Sequence, residues 1–128
     1  MIADKLKRAL VVDDDETVRL VGKRQLRKLG FDVVLAEDGL QACDLFEKID
    51  QFDIILMDIQ MPELDGYEAT KRIRDVENKK GKKRSLVVAM TASQEKERAL
   101  AAGMDDFLFK PFMSDHLKSL IDKWEEAS

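Results

Sequence analysis

Short apolar runs alternate with longer amphipathic stretches along this chain, and that alternation predicts its elements. Ala9-Leu10-Val11-Val12 reads as a strand, and the segment after it places Val18, Val21, Gly22, Leu26 and Leu29 on one side of a helix that Gly30 stops. Val33 to Ala36 is a second strand, followed by a helix with Ala42, Leu45, Phe46 and Ile49 at offsets of three, four and seven. Ile54-Ile55-Leu56-Met57, bounded by Asp53 and Asp58, is a third strand. Past the loop at Pro62, a helix from about Gly66 to Glu77 is expected to bury Ala69, Ile73 and Val76. Leu86 to Met90 makes a fourth strand, and a short helix near Glu95 to Ala102 ends at Gly103. Phe107-Leu108-Phe109 is the fifth strand. The last helix carries Met113, Leu117, Leu120, Ile121 and Trp124 on one stripe.

Strands this short and this apolar suit a parallel sheet buried on both faces by helices. Five βα units in sequence therefore predict an α/β, doubly wound, three-layer sandwich with right-handed crossovers. No internal repeat, low-complexity tract or linker divides the sequence, so residues 1–128 are expected to form a single domain.

Composition narrows the function classes. With 45% hydrophobic residues, a chain of 128 can build its core without disulfides or a structural metal. The 26 acids against 22 bases give a net charge of −4, which argues against direct nucleic-acid binding. Cys43 is the single cysteine and cannot form an internal disulfide, which favours a reducing compartment. No apolar run approaches the ~20 residues that cross a bilayer, and Met1 to Lys5 lack the apolar stretch of a signal peptide. A cytoplasmic location with no membrane partner is the expectation.

Ligands of open parallel sheets bind beyond the carboxyl ends of the strands. Asp13-Asp14-Asp15 follows the first strand, Asp58 ends the third, Thr91 the fourth and Lys110 the fifth. Together these residues describe a phosphoryl-transfer site. A hard cation such as Mg²⁺ takes oxygen ligands, which Asp13 or Asp14 and Asp58 can supply. One carboxylate can act as nucleophile, while a lysine and a hydroxyl attend the phosphoryl oxygens. Singly, each residue has a plainer reading. The acidic triplet can cap the first helix with Asp15 at the N-cap, Asp58 and Thr91 can be strand-end turn residues, and Lys110 a solvated loop lysine. Only their joint placement at adjacent strand ends points to chemistry.

The motifs Val11-Val12-Asp13-Asp14-Asp15, Leu56-Met57-Asp58-Ile59-Gln60-Met61-Pro62, Asp65-Gly66, Met90-Thr91-Ala92 and Phe109-Lys110-Pro111-Phe112 resemble those of response-regulator receiver domains, in order and over nearly the whole chain. The resemblance implies a flavodoxin-like sheet of strand order 2-1-3-4-5. It implies Asp58 as phosphoacceptor, charged from a phosphohistidine on a histidine kinase or histidine phosphotransfer protein. Asp13, Asp14 and Asp58, with a backbone carbonyl of Gln60, would hold Mg²⁺, for which Mn²⁺ can substitute. Lys110 would pair with the phosphoryl oxygens, and its bond to Pro111 is a candidate for the cis form. Thr91 and Phe107 match the switch pair that alters the face around helix four, strand five and helix five. Gln60 and Ser93 fall where the family tunes phosphoryl hydrolysis, and Ala92 where it leaves access to the acceptor. The stretch from Thr91 to Lys110 is about one helical turn shorter than the family norm.

The resemblance implies a domain that is not an enzyme beyond self-catalysed phosphoryl transfer and self-dephosphorylation. A monomer is expected before phosphorylation, and the output partner is not specified. Two alternatives stand beside it. A phosphatase with an aspartate nucleophile would want a second aspartate two residues on, where this chain has Gln60. A receiver-like binding scaffold would typically lack an acid or the lysine, all of which are kept. A dinucleotide binder would need a glycine-rich loop after the first strand, which is missing. Of the remaining residues, His116 is expected at the surface, Cys43 as half-buried packing, Lys79 to Arg84 as a solvated basic loop, and Trp124 as a packing residue.

Overall fold

Val, Ile and Leu dominate the strands, and in the computed structural model they pair in one five-stranded parallel sheet of order β2-β1-β3-β4-β5. The structure describes residues 7–49, 51–91, 96–110 and 114–127. Ala92, Ser93, Pro111 and Met113 lie outside them, and so does the geometry expected of the Lys110–Pro111 bond. The strands are β1 (Lys7–Val12), β2 (Phe31–Ala36), β3 (Ile54–Asp58), β4 (Leu86–Thr91) and β5 (Asp106–Phe109). The helices are α1 (Glu16–Lys28), α2 (Gly39–Lys48), α3 (Gly66–Lys80), α4 (Lys96–Ala101) and α5 (Ser114–Ala127).

Alternate residues of each central strand point to opposite faces, so the sheet carries two cores. Leu10, Val12, Ile55 and Met57 meet Phe46 of α2 and Ile73 of α3 on one side, where Ala99 of α4 also lies. Ala9, Val11, Ile54 and Leu56 meet Leu26 of α1 and Leu117, Leu120 and Ile121 of α5 on the other. The doubly wound layering follows from this alternation. Burial on both faces does not extend to β2, whose Val33, Val34 and Leu35 are only half-buried. It is an edge strand, so it lacks a neighbour on one side.

Local sequence chemistry fixes the helix ends. Asp15, Asp38 and Asp65 cap α1, α2 and α3, each accepting a hydrogen bond from a first-turn backbone N–H. Gly30, at φ 93°, ends the turn after α1 as expected. Val21 departs from its predicted face: it is exposed, and the buried stripe of α1 runs through Gly22 and Leu26.

The basic segment from Lys79 to Arg84 is not a solvated loop throughout. Lys79 and Lys80 form the last turn of α3, whose dipole favours cations there. Lys82 Nζ donates to the carbonyls of Phe46 (2.6 Å) and Ile49 (2.9 Å) at the end of α2, over the Phe46 ring. Arg84 pairs with Asp105 at 2.7 Å.

Asp105 belongs to a buried network at the amino ends of β4 and β5, at the opposite end of the sheet from Asp58 and Lys110. Arg74 Nε donates to Gly103 O (2.9 Å), Nη1 to Glu77 (2.9 Å) and Ser85 O (2.8 Å), and Nη2 to Asp105 (2.7 Å). The carboxylates are completed by backbone donors: Ser85 N to Glu77 (2.7 Å) and Val87 N to Asp105 (2.9 Å). Removing the cation from such a site leaves two acids without it. We therefore expect Arg74→Met to lower stability by roughly 3 kcal/mol, read as a fall in the urea midpoint. A loss below about 0.5 kcal/mol would mean that water satisfies these carboxylates.

Candidate active site at the carboxyl ends of the strands

Parallel register delivers four functional side chains to one edge. β1 runs into Asp13, whose N–H donates to Ala36 O of β2 at 3.2 Å. Asp13 Oδ1 accepts from Asp15 N (2.9 Å), and Arg19 Nη1 donates to Asp13 O (2.7 Å), so the acidic triplet both caps α1 and holds itself rigid. Asp58 is the last residue of β3, opposite Met90 of β4, and Thr91 ends β4 opposite Phe109. Lys110 follows β5, and its N–H donates to Thr91 O at 2.9 Å.

The loop after Asp58 has no slack. Gly66 N donates to Ile59 O (2.9 Å), and a Cβ on Gly66 would sit 2.1 Å from Asp58 O. Only glycine fits so close to the backbone of β3. Before it, Leu64 N donates to Pro62 O (2.7 Å) across Glu63, which is held at φ 65°. This is a strained γ-turn at the rim of the site.

Asp13 is fully buried, Asp58 is 5% exposed, and Asp14 is exposed. Carboxylate oxygens of all three lie within 4.8 Å of one another. Lys110 Nζ reaches both buried acids, at 2.7 Å from Asp13 Oδ2 and 3.0 Å from Asp58 Oδ1. Asp13 Oδ2 receives that ammonium as an ion pair but no well-directed hydrogen bond among the described residues. One cation against three carboxylates leaves negative charge that a further cation can neutralise. The donor set is all oxygen, as a hard divalent ion requires.

The same imbalance acts on protons. Burial pushes the Asp58 carboxyl up to about 6 from an ordinary 3.8, with Asp13 and Asp14 adding to the rise and Lys110 opposing it. Burial alone would lower the Lys110 ammonium, but its pairing with Asp13 and Asp58 outweighs that and raises it. Lys110 thus stays charged, while Asp58 is still mainly ionised at neutral pH.

Gln60 is exposed at the mouth of a cleft it shares with Asp14, Asp65, Tyr67 and Arg98. Phe107 is half-buried against the α3 and α4 side of the core, with its ring edge-on to Phe109 at 5.8 Å. The structure brings Asp13, Asp14, Asp58 and Lys110 together in direct contact range, with Thr91 and Gln60 beside them on the same edge.

Comparison with known proteins agrees with this geometry. The response regulator receiver domain family matches residues 9–122. The chain belongs to that family. It is 39% identical to histidine kinase 3 of Arabidopsis thaliana over 92% of its own length but only 13% of that protein's. The receiver domain of sensor histidine kinase PA1611 from Pseudomonas aeruginosa, solved with a magnesium ion in its active-site cleft, superposes with a TM-score of 0.81 at 38% identity. That match covers 94% of this chain and 98% of the solved one. A chain of the co-crystal structure of the Saccharomyces cerevisiae phosphotransfer protein Ypd1 and the receiver domain of Ssk1 gives a TM-score of 0.84 at 31% identity, covering 93% and 88%.

Some features of this receiver domain were not evident from its sequence. Arg19 ties Asp13 to α1, and Arg98 lies over the Tyr67 ring at 4.3 Å, contacts that no sequence motif marks. The pairing of Tyr67 with Arg98 spans two helices, and no periodicity announces it. Among the described residues α4 covers Lys96–Ala101. His116 is exposed and Cys43 half-buried, as expected. Burial raises the Cys43 thiol further.

The raised Asp58 carboxyl makes stability pH-dependent with a defined sign. The folded chain holds this proton more tightly than the unfolded one, so stability from this group falls as pH rises between 3.8 and about 6. Asp58→Asn removes the penalty. In metal-free buffer we expect its stability advantage to be smallest near pH ~4 and to level off above pH ~6.5, read from urea midpoints across the range. A gap independent of pH would contradict the assignment.

Proposed function

We propose that this domain is the phosphoacceptor switch of a two-component phosphorelay, with Asp58 taking the phosphoryl group. The observation that carries this is a nearly buried carboxylate at a strand end, with two further acids within 4.8 Å and Lys110 bridging to one of them. The donor is a phosphohistidine on a histidine kinase or a histidine phosphotransfer protein. The solved complex of Ypd1 with the Ssk1 receiver domain supports that partner class.

In the transfer, an Asp58 carboxylate oxygen forms a bond to phosphorus as the P–N bond breaks. The bonding pair returns to the imidazole nitrogen, and no proton is needed from Asp58. Lys110, held charged between Asp13 and Asp58, stands where the equatorial phosphoryl oxygens arrive. Asp13, Asp14 and Asp58, with a backbone carbonyl of Gln60, would hold Mg²⁺ or its substitute Mn²⁺. When bound, the metal neutralises the carboxylates and the phosphoryl oxygens; the magnesium in the PA1611 receiver domain supports this choice.

Thr91 and Phe107 form the switch in this reading. Thr91 is buried at the end of β4 and linked through its carbonyl to the backbone of Lys110. A phosphoryl oxygen beside Asp58 gives the Thr91 hydroxyl a stronger acceptor, and the half-buried Phe107 ring follows it inward. Phosphorylation shifts the population between two arrangements of the α4, β5 and α5 face. Residues 1–128 act as one cytoplasmic receiver unit, monomeric before phosphorylation, without direct contact to nucleic acid or membrane. No helix among the described residues is long and apolar enough to cross a membrane.

Incubation with acetyl phosphate and Mg²⁺, followed by intact mass measurement, tests this. We expect one phosphoryl adduct that disappears in Asp58→Asn and in EDTA and forms much more slowly in Lys110→Ala. An unchanged mass for the native chain, with no response to beryllofluoride, would support a scaffold that is not phosphorylated. Sustained turnover of phosphate esters would instead support the phosphatase.

A further inference from the structure

We propose that the amino end of the sheet carries a second binding site, a preformed apolar cavity beside α5 that takes a small amphipathic carboxylate and pairs its anion with Lys83. The inference stands apart from the chemistry of Asp58, which lies at the other end of β3. β1, β2, β3 and β4 begin at Lys7, Phe31, Ile54 and Leu86, and the cavity opens where these strand starts meet Ile121 and Trp124 of α5. Its volume is about 240 Å³. Phe31, Ile54 and Ile121 are at most 7% exposed, and Leu86 and Trp124 are half-buried, so apolar side chains form the inner walls. An apolar cavity of about 150 Å³ already takes benzene, so this one has room for a ring and a short chain.

Interiors are close-packed, and unsupported walls would close over such a void. These walls are held apart. Trp124 Nε1 donates to Asp106 Oδ2 at 2.8 Å, which fixes the indole against the start of β5. Lys7 pairs with Glu125 and bridges β1 to the last turns of α5. At Asp53 the N–H donates to Arg8 O (2.8 Å), the carbonyl accepts from Leu86 N (3.1 Å) and the carboxylate from Arg8 N (2.8 Å). That corner is locked to both β1 and β4. A site held open before its ligand arrives loses little entropy on binding.

The same bonds decide the charge of the ligand. Glu125 is paired with Lys7, and the Asp53 carboxylate already accepts from the backbone. Lys83 is exposed at the mouth, and among the described residues its ammonium makes neither an ion pair nor a hydrogen bond. The charge left without a partner beside the apolar walls is thus a cation. A ring or short aliphatic chain fits the walls and a carboxylate fits Lys83, whereas an amine finds no unengaged acid there.

The test uses 3-phenylpropionate as probe, compared with 3-phenylpropan-1-ol and 3-phenylpropylamine at matched ionic strength. Trp124, the single tryptophan of the chain, reports by fluorescence, and the methyl groups of Ile54, Leu86 and Ile121 report by NMR. Lys83→Gln removes the charge at an exposed position, and Leu86→Phe fills the cavity from a half-buried one. Urea midpoints check that both variants fold, and the three probes with Lys83→Gln decide the matter if Leu86→Phe does not.

We expect saturable binding of the carboxylate with a dissociation constant on the order of 1 mM. The alcohol should bind at least about threefold more weakly, and the amine more weakly still. Lys83→Gln should bring the carboxylate down to the affinity of the alcohol, and folded Leu86→Phe should abolish the binding of both. The absence of a saturable shift up to about 20 mM, equal affinities for the acid and the alcohol in the native chain, or carboxylate binding that survives in folded Leu86→Phe would each overturn the inference. Phosphorylation of Asp58 is untouched by any of these outcomes.

Discussion

Two buried carboxylates share one lysine at the carboxyl edge of this sheet, and the behaviour of the site depends on that ratio. Asp13 and Asp58 are at most 5% exposed, and Lys110 lies within 3.0 Å of each. Burying an acid is costly unless it is paired, and one ammonium cannot discharge two acids and their exposed neighbour Asp14. Burial, with the surplus adding to it, raises the Asp58 carboxyl to about 6, and the surplus makes the cluster attractive to a divalent cation. The same charge that costs stability thus prepares the site for ligands.

The opposite end of the sheet shows what a closed account of charge looks like. There Arg74 and Arg84 face Glu77 and Asp105, two bases for two acids, and backbone N–H groups complete the carboxylates. That network is structural: it anchors the start of β5 to α3 and β4. The segment from Gly103 to Lys110 is consequently held at its first turn by Arg74 and at its last residue by Asp13 and Asp58. Phosphorylation of Asp58, as proposed, would act on the second clamp and leave the first intact. Between them lies the half-buried Phe107, the residue proposed as the aromatic member of a switch.

Much of this was legible in the sequence because it follows from local rules. Strand ends marked by Asp13, Asp58, Thr91 and Lys110 must lie together once a parallel sheet is inferred, and the sheet follows from apolar runs too short for helices. The cap at Asp15 obeys the same local logic. What stayed hidden depends on contacts between residues distant in sequence. Arg74 meets Asp105 across 31 residues, and Lys82 meets Phe46 across 36. A run of lysines and arginines looks equally solvated until its partners are seen. The exposed face of Val21 and the half-burial of β2 were misjudged for a related reason: periodicity identifies an apolar face, but the neighbours decide how much of it is covered.

The burial of Asp58 and the charge surplus around it can be measured directly by following its side-chain carboxyl carbon by NMR as a function of pH, with and without Mg²⁺. Without metal the titration should have its midpoint near 6. With Mg²⁺ bound beside it, the midpoint should fall well below that, because the metal favours the ionised form. An ordinary aspartate midpoint that Mg²⁺ does not move would contradict the account, since neither the surplus nor the cation site would then exist.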